Sequence, residues 1–197
     1  MKFGVNRIRR IVLSLRNFSR LDESEMKDVN IHDRIDSTLL ILQHYLKAKP
    51  KSPGIEVIKE YGDLPLVECY AGQLNQVFMN ILCNAIDTLE TSKTYKLENP
   101  KPGKITISTT VGVMNDTVNS AVIRIGDNGS GMPSAVRDRI FDPFFTTKPV
   151  GKGTGLGLSI SYQIVVEKHG GILKCNSQPD VGTEFWIEIP IKYNVRS

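Results

Sequence analysis

The sequence predicts a two-layer α/β sandwich, with one mixed sheet and helices on one face. Three observations predict it. Ala121 to Ile125 and Ile105 to Val113 are short apolar runs of the kind that form strands. Gly72 to Thr91 places Val77, Ile81 and Asn84 at helical spacing, and Asn80, Asn84 and Asp87 likewise. A glycine-rich loop, Gly151 to Gly157, then runs directly into an apolar-periodic segment, Leu156 to Val166.

The elements follow in order. Val5, Ile8, Val12 and Leu15 are spaced three, four and three, and Ile11 and Phe18 widen the stripe. This predicts a helix over Val5 to Leu21, packed into a bundle seam or against the domain itself. Asp22 and Glu23 lead into a polar junction, so the chain divides into residues 1–25 and 27–193. A short strand over Lys27 to Ile31 precedes a helix from His32 to Lys47, with His32 as its cap and His44 on its wet side. A strand over Ile55 to Tyr61, a short strand near Val67 and the helix Gly72 to Thr91 come next. Ser92 to Gly103, with Pro100 and Pro102, is an exposed loop. Strands Ile105 to Val113 and Ala121 to Asp127 flank a hairpin turn region, Gly112 to Asn119. A short helix follows Pro133. A long one is expected over Thr154 to His169, where a partly positive His169 suits the helix C-terminus. Strands Ile172 to Asn176 and Thr183 to Ile189 complete the sheet.

Composition bounds the function. A chain of 197 residues supports one full domain and a small appendage, and 40% hydrophobic content can bury a core. No apolar run reaches membrane-spanning length and no leader pattern stands at Met1, so a cytoplasmic domain without direct membrane contact is expected, with any anchor lying upstream. Cys69, Cys83 and Cys175 are odd in number and lack Cys-x-x-Cys spacing, as in a reduced compartment, and Cys83 reads as a core filler. Arg7, Arg9, Arg10, Arg16 and Arg20 cluster on the first helix without an aromatic stacking platform, which reads as a solvated face and argues against nucleic acid.

Three segments carry chemistry. Phe141-Asp142-Pro143-Phe144-Phe145-Thr146-Thr147-Lys148 leads into Gly151-Lys152-Gly153-Thr154-Gly155-Leu156-Gly157-Leu158. Alternate glycines let backbone N–H groups crowd around anionic oxygens, and a helix starting there adds its free N–H groups. That describes a phosphate site. It is neither a P-loop nor a Rossmann turn, since neither spacing occurs. Gly126-Asp127-Asn128-Gly129-Ser130-Gly131-Met132-Pro133 sets an acid beside glycines at a strand end, where it can accept from a flat ring. Asn80 and Asn84, at i and i+4, share a helix face on which asparagine has poor propensity. Buried, backbone-satisfied amides are the plainer reading of that pair taken alone.

In this order, the segments resemble the N, G1, F and G2 boxes of the ATP-binding domain of bacterial two-component sensor histidine kinases, in the GHKL superfamily. The boxes fall at Asn80 to Asp87, Asp127 to Gly131, Phe141 to Lys148 and Gly153 to Leu158. The resemblance runs from about Val29 to the end, and the wording is similar to multidomain kinases of cyanobacteria. It implies the Bergerat sandwich, with ATP and Mg²⁺ bound between the helical layer and a lid.

The resemblance also implies roles. Asn84 is the Mg²⁺ ligand, with phosphates and waters completing the octahedron. Asp127 accepts from the adenine amine, and Gly129 and Gly131 allow close approach. Thr183 lies beside the adenine. Gly153, Thr154, Gly155, Leu156, Gly157 and Leu158 line the triphosphate, with Lys148 or Lys152 as a cationic contact. Phe144 and Phe145 anchor the lid. Asn80 stands where hydrolysing relatives place a glutamate, and an amide cannot act as a general base. Asn80 and Asn84 are therefore the residues expected to carry a kinase, with Asn80 assisting metal binding or shaping the pocket. Asp87 replaces the basic residue that many relatives carry, and no phosphate contact is assigned to it.

The first helix resembles the second helix of a dimerisation and phosphotransfer hairpin, whose acceptor-bearing first helix is missing. His32, His44 and His169 lack the surroundings of an acceptor. The implied partners are ATP, a phosphoacceptor histidine hairpin and a response-regulator receiver domain, within a full-length homodimer. A GHKL ATPase or serine kinase and a nucleotide-binding pseudokinase are the alternatives.

Overall fold

The computed structural model describes residues 25–48, 54–91, 103–149 and 153–192. The expected first helix, and Lys152 with it, lie outside the described residues.

The elements run β1 (Lys27–Val29), α1 (Ile31–Leu46), β2 (Ile55–Tyr61), β3 (Val67–Cys69), α2 (Ala71–Thr91), β4 (Gly103–Met114), β5 (Val118–Asp127), α3 (Ser134–Arg137), α4 (Gly157–Tyr162), a π-helical turn (Gln163–Lys168), β6 (Ile172–Gln178) and β7 (Gly182–Pro190). The main sheet has the order β2-β4-β5-β7-β6. β2 runs parallel to β4, and the other pairs are antiparallel, so the sheet is mixed as expected. β1 and β3 form a separate antiparallel pair.

Strand periodicity decides which face is covered. Ile105, Ile107, Ile123, Ile125, Phe185 and Ile187 alternate along β4, β5 and β7 and are buried. Leu74, Val77, Phe78, Ile81, Leu82 and Ile86 of α2 are buried with them in one cluster. The intervening positions form the other face, where the Arg124 guanidinium lies 4.2 Å from the Trp186 ring centroid. Helices on one face is thus the observed arrangement.

Four details differ from the sequence reading. The β4–β5 turn is only Asn115, Asp116 and Thr117, the first two at positive φ, so the strands extend further than expected. Asn30, not His32, caps α1: its Oδ1 accepts from the N–H groups of His32 (2.9 Å) and Asp33 (3.3 Å). The His32 ring instead stacks on Tyr61 at 4.3 Å.

The last two concern the long helix. It starts at Gly157 rather than Thr154, because Gly155 has φ +67 and breaks the helical path. Its end is a π turn closed by His169, which is 2% exposed. Burial lowers the His169 pKa, so the ring is neutral and not the partly positive group expected. Nδ1–H donates to the Ile164 carbonyl at 2.8 Å, and Nε2 accepts from the Tyr70 N–H at 3.1 Å. That pairing fixes the tautomer.

Candidate nucleotide site

The site is built from one sheet row, one helix face and one lid. Register sets the row. Asp127 pairs with Thr183, and Thr183 pairs with Ser177, so three neighbouring strands bring these side chains side by side at one end of the sheet. Asp127 Oδ1 accepts from the Gly129 N–H at 2.8 Å. Burial pushes its pKa up to about 6, against the opposing effect of hydrogen bonds from the Gly129 and Thr183 amides. A carboxylate held this way is ionised at neutral pH and accepts only.

The G1 glycines are required by contact. A Cβ at Gly131, whose φ is +61, would lie 1.9 Å from the Gln178 carbonyl oxygen. At Gly129 it would lie 2.6 Å from the Thr88 methyl and 2.7 Å from Asp127 Oδ1. Only glycine lets this loop lie against α2 and β6 at once.

The helix face carries Asn80, Asn84 and Asp87, all half-buried, opposite the apolar stripe that holds α2 to the sheet. Asn80 Nδ2 donates to the Gly157 carbonyl at 2.8 Å and reaches Ser161 Oγ at 3.1 Å. Asn80 therefore ties α2 to the start of α4. Asn84 Oδ1 accepts from Lys148 Nζ at 3.2 Å. The same ammonium is 2.8 Å from Asp87 Oδ2.

The lid runs over this face. Phe141 and Phe145 pack on the core cluster, and Phe145 also carries the Arg139 guanidinium 4.5 Å from its centroid. Phe144 does not anchor the lid as expected. It is 74% exposed, with φ +65, and its backbone lies so close to Gly155 that a Cβ there would come within 2.3 Å. Phe141, 5.5 Å from Tyr162, takes the second anchoring place. Thr146 Oγ1 accepts from the Lys148 N–H at 3.2 Å, and Thr154 Oγ1 accepts from the Leu156 N–H at 3.3 Å. A Cβ at Gly153 would meet Thr146 Oγ1 at 2.5 Å, and one at Gly157 would sit 3.4 Å from Asn80 Cγ. Leu158 is partly buried against the core.

The structure thus brings Asn80 together with Gly157, Asn84 with Lys148, and Asp127 with Gly129 and Thr183. Residue spacing alone does not point to Ser161, Ser177 or the Lys148–Asp87 pair. Ser177 was findable from strand parity, once β6 and β7 are set in register.

A half-buried acid at a sheet end, an amide-bearing helix and a glycine-rich lid define a nucleotide-binding α/β domain. The chain belongs to the histidine kinase-, DNA gyrase B- and HSP90-like ATPase family, whose model matches residues 70–193. ATP binding follows from that membership. Sensor kinase CckA of Brucella abortus is 33% identical over 96% of this chain, and the histidine-protein kinase AtoS of Escherichia coli is 30% identical over 95%. The chain spans 20% and 28% of the lengths of those relatives. The catalytic domain of histidine kinase ThkA is 27% identical, with a TM-score of 0.64, covering 85% of this chain and 98% of that one. ThkA in complex with its response regulator TrrA shares the fold, with 22% identity and a TM-score of 0.66 over 95% of this chain and 49% of that one. No helix among the described residues is long and apolar enough to cross a membrane.

Proposed function

We propose that this domain binds ATP·Mg²⁺ and moves the γ-phosphoryl group to a histidine on a dimerisation helix, for onward transfer to a receiver domain. The observation that carries the reading is Asn80. Its amide has no basicity near neutral pH, and its N–H groups are held by Gly157 and Ser161. Water at the γ-phosphate finds no base there, so ATP waits for a better acceptor. None of the chain's histidines suits that part: His32 is stacked and bonded to Thr109, His169 is buried and neutral, and His44 lies exposed on α1.

The residues present fit magnesium. Asn84 Oδ1 is a hard oxygen already facing a cation, the Lys148 ammonium. No group of three acidic, histidine or cysteine side chains gathers elsewhere among the described residues, so a metal here would rest on the amide and on the substrate's own oxygens. Bound there, magnesium would neutralise the phosphates. Asp127 and Thr183 hold the base, and the Gly153–Gly157 backbone faces the phosphates. In the transfer, the bond from the γ-phosphorus to the bridging oxygen breaks, a bond to the acceptor imidazole nitrogen forms, and ADP leaves. Support for the receiver domain as final acceptor comes from the relatives, which are sensor kinases, and from the ThkA–TrrA complex.

The test mixes the 197-residue chain with a separate phosphotransfer hairpin and γ-labelled ATP. Label on the hairpin histidine is expected. Steady phosphate release without that label would make the domain an ATPase, and bound nucleotide with neither would make it a regulator by binding alone. Label on His32, His44 or His169 would overturn the assignment of the acceptor.

A further inference from the structure

Ser177 is the most fully committed hydroxyl near the site. Its Oγ donates to the Gly182 carbonyl at 3.0 Å. It accepts from the Met132 N–H at 2.9 Å. It also lies 2.9 Å from Thr183 Oγ1, buried from water on both sides. A serine hydroxyl has one proton and two lone pairs. A carbonyl oxygen can only accept, and an N–H can only donate. The single proton therefore goes to Gly182 and one lone pair to Met132. The remaining lone pair faces Thr183, whose own proton must point at Ser177.

This settles what Thr183 can offer. Its hydroxyl proton is used, so toward the pocket it presents lone pairs alone. Asp127, its neighbour in the same row, is also acceptor-only when ionised. The 6-amino group of adenine carries two N–H donors, whereas the 6-oxo group of hypoxanthine or guanine carries none. We propose that Ser177 is a positioning residue for base specificity: by taking the Thr183 proton it makes this end of the row an all-acceptor edge that admits a 6-amino purine and rejects a 6-oxo one. The inference rests on the adenine-nucleotide reading of the site. It adds a residue that touches no ligand, and it places base selection in a hydroxyl orientation. Rejection by unpaired polar groups is the stronger form of discrimination, because a 6-oxo oxygen in the place of the amine faces acceptors with no proton between them.

The experiment is calorimetric titration of the 197-residue chain with ADP and with inosine diphosphate, which exchanges the 6-amino group for a 6-oxo group. The parent is expected to favour ADP. In Ser177→Ala the Thr183 proton is released and can turn to a 6-oxo oxygen. The ADP-to-IDP affinity ratio should then fall by about tenfold, partly through tighter IDP binding. Ser177→Thr keeps the hydroxyl and should restore the parent ratio. In Thr183→Val background the Ser177→Ala change should leave the ratio unmoved.

A merely structural serine would lower the melting temperature and weaken both nucleotides equally, and that unchanged ratio would overturn the proposal. If Ser177→Ala does not fold, near-isosteric Ser177→Cys, a weaker partner in every bond, is read by the same ratio. A parent chain that binds neither nucleotide would instead refute the nucleotide reading itself, a result separable from failure of the Ser177 step.

Discussion

Lys148 Nζ lies 2.8 Å from Asp87 Oδ2 and 3.2 Å from Asn84 Oδ1, so one ammonium bridges the lid to the helix face proposed to meet the metal. Two cations cannot share Asn84 Oδ1. Arrival of Mg²⁺ would push Lys148 away and free it for the phosphates. A half-exposed pair of this kind contributes about 0.2–1 kcal/mol. In Asp87→Asn, hydrogen exchange of the lid amides near Lys148 should therefore rise roughly two- to fivefold in the nucleotide-free protein. With nucleotide and Mg²⁺ bound, variant and parent should exchange alike. Equal exchange in the free forms would mean that the pair does not hold the lid.

Asn84→Ala should abolish the Mg²⁺ dependence of ADP affinity while leaving metal-free binding in place. Titrations with and without Mg²⁺ check this. A persisting Mg²⁺ effect would assign the metal to another residue.

Asp127 should impose an acid limit on adenine binding. Its pKa is raised to about 6, so the accepting carboxylate is present above that pH and is lost as pH falls through it. ADP affinity should drop from pH 7 to pH 5 more steeply in the parent than in Asp127→Asn, a comparison that cancels titration of the phosphates. At pH 7, Asp127→Asn should weaken ADP by about 1.5–3 kcal/mol, the worth of a charge-assisted bond. Equal affinities at pH 7 would remove Asp127 from base recognition.

Gly131→Ala should disable the site without removing any polar side chain. The added methyl would lie 1.9 Å from a backbone oxygen, at a φ that alanine resists. A loss of more than about 2 kcal/mol of stability is expected, along with nucleotide binding. Denaturant melts and calorimetry on the same preparation report both. Gly170→Ala is the control, because its φ is also positive, at +60, but no atom lies near the added carbon.

His169 gives a stability signature of its own. Its folded pKa is below 6.5, so the unfolded chain takes up the proton first as pH falls. The neutral ring's contribution is whole above 6.5 and declines below it, by at most about 1.4 kcal/mol per pH unit. The melting temperature of the parent should fall faster between pH 7 and 5.5 than that of His169→Gln. Parallel profiles would show that the ring is not held neutral.

The order of the elements was legible because long periodic segments dominate it, and α2 shows this best: its apolar stripe and its amide face both follow from residue spacing. What sequence could not convey was direction. Phe144 and Phe145 are adjacent and equally apolar, and only the positive φ at Phe144 decides which one leaves the core. The periodicity of Leu156 to Val166 predicts a helix that includes Thr154, but Gly155 turns the chain first. His169 was read from the helix end it occupies, whereas the Tyr70 N–H that helps fix its tautomer comes from a segment 99 residues away. Lys148 and Asp87 stand 61 residues apart, and nothing local couples them. Among the site residues, the glycines were legible by type, and their necessity became visible only in the atoms that a methyl would strike.

The Asn80 fastening also bears on how such a domain could change trade. A glutamate at that place is what hydrolysing members of the superfamily carry. Here, Asn80→Glu would remove the N–H groups that hold Gly157 and Ser161 and would turn a carboxylate oxygen toward the Gly157 carbonyl. Two acceptors would face each other, and the end of the lid would lose its tether in the step that supplied the base. A single substitution therefore adds the acid and unties the lid at once. A hydrolysing variant of this chain would then need a second change in α4, one that restores a donor to the Gly157 carbonyl.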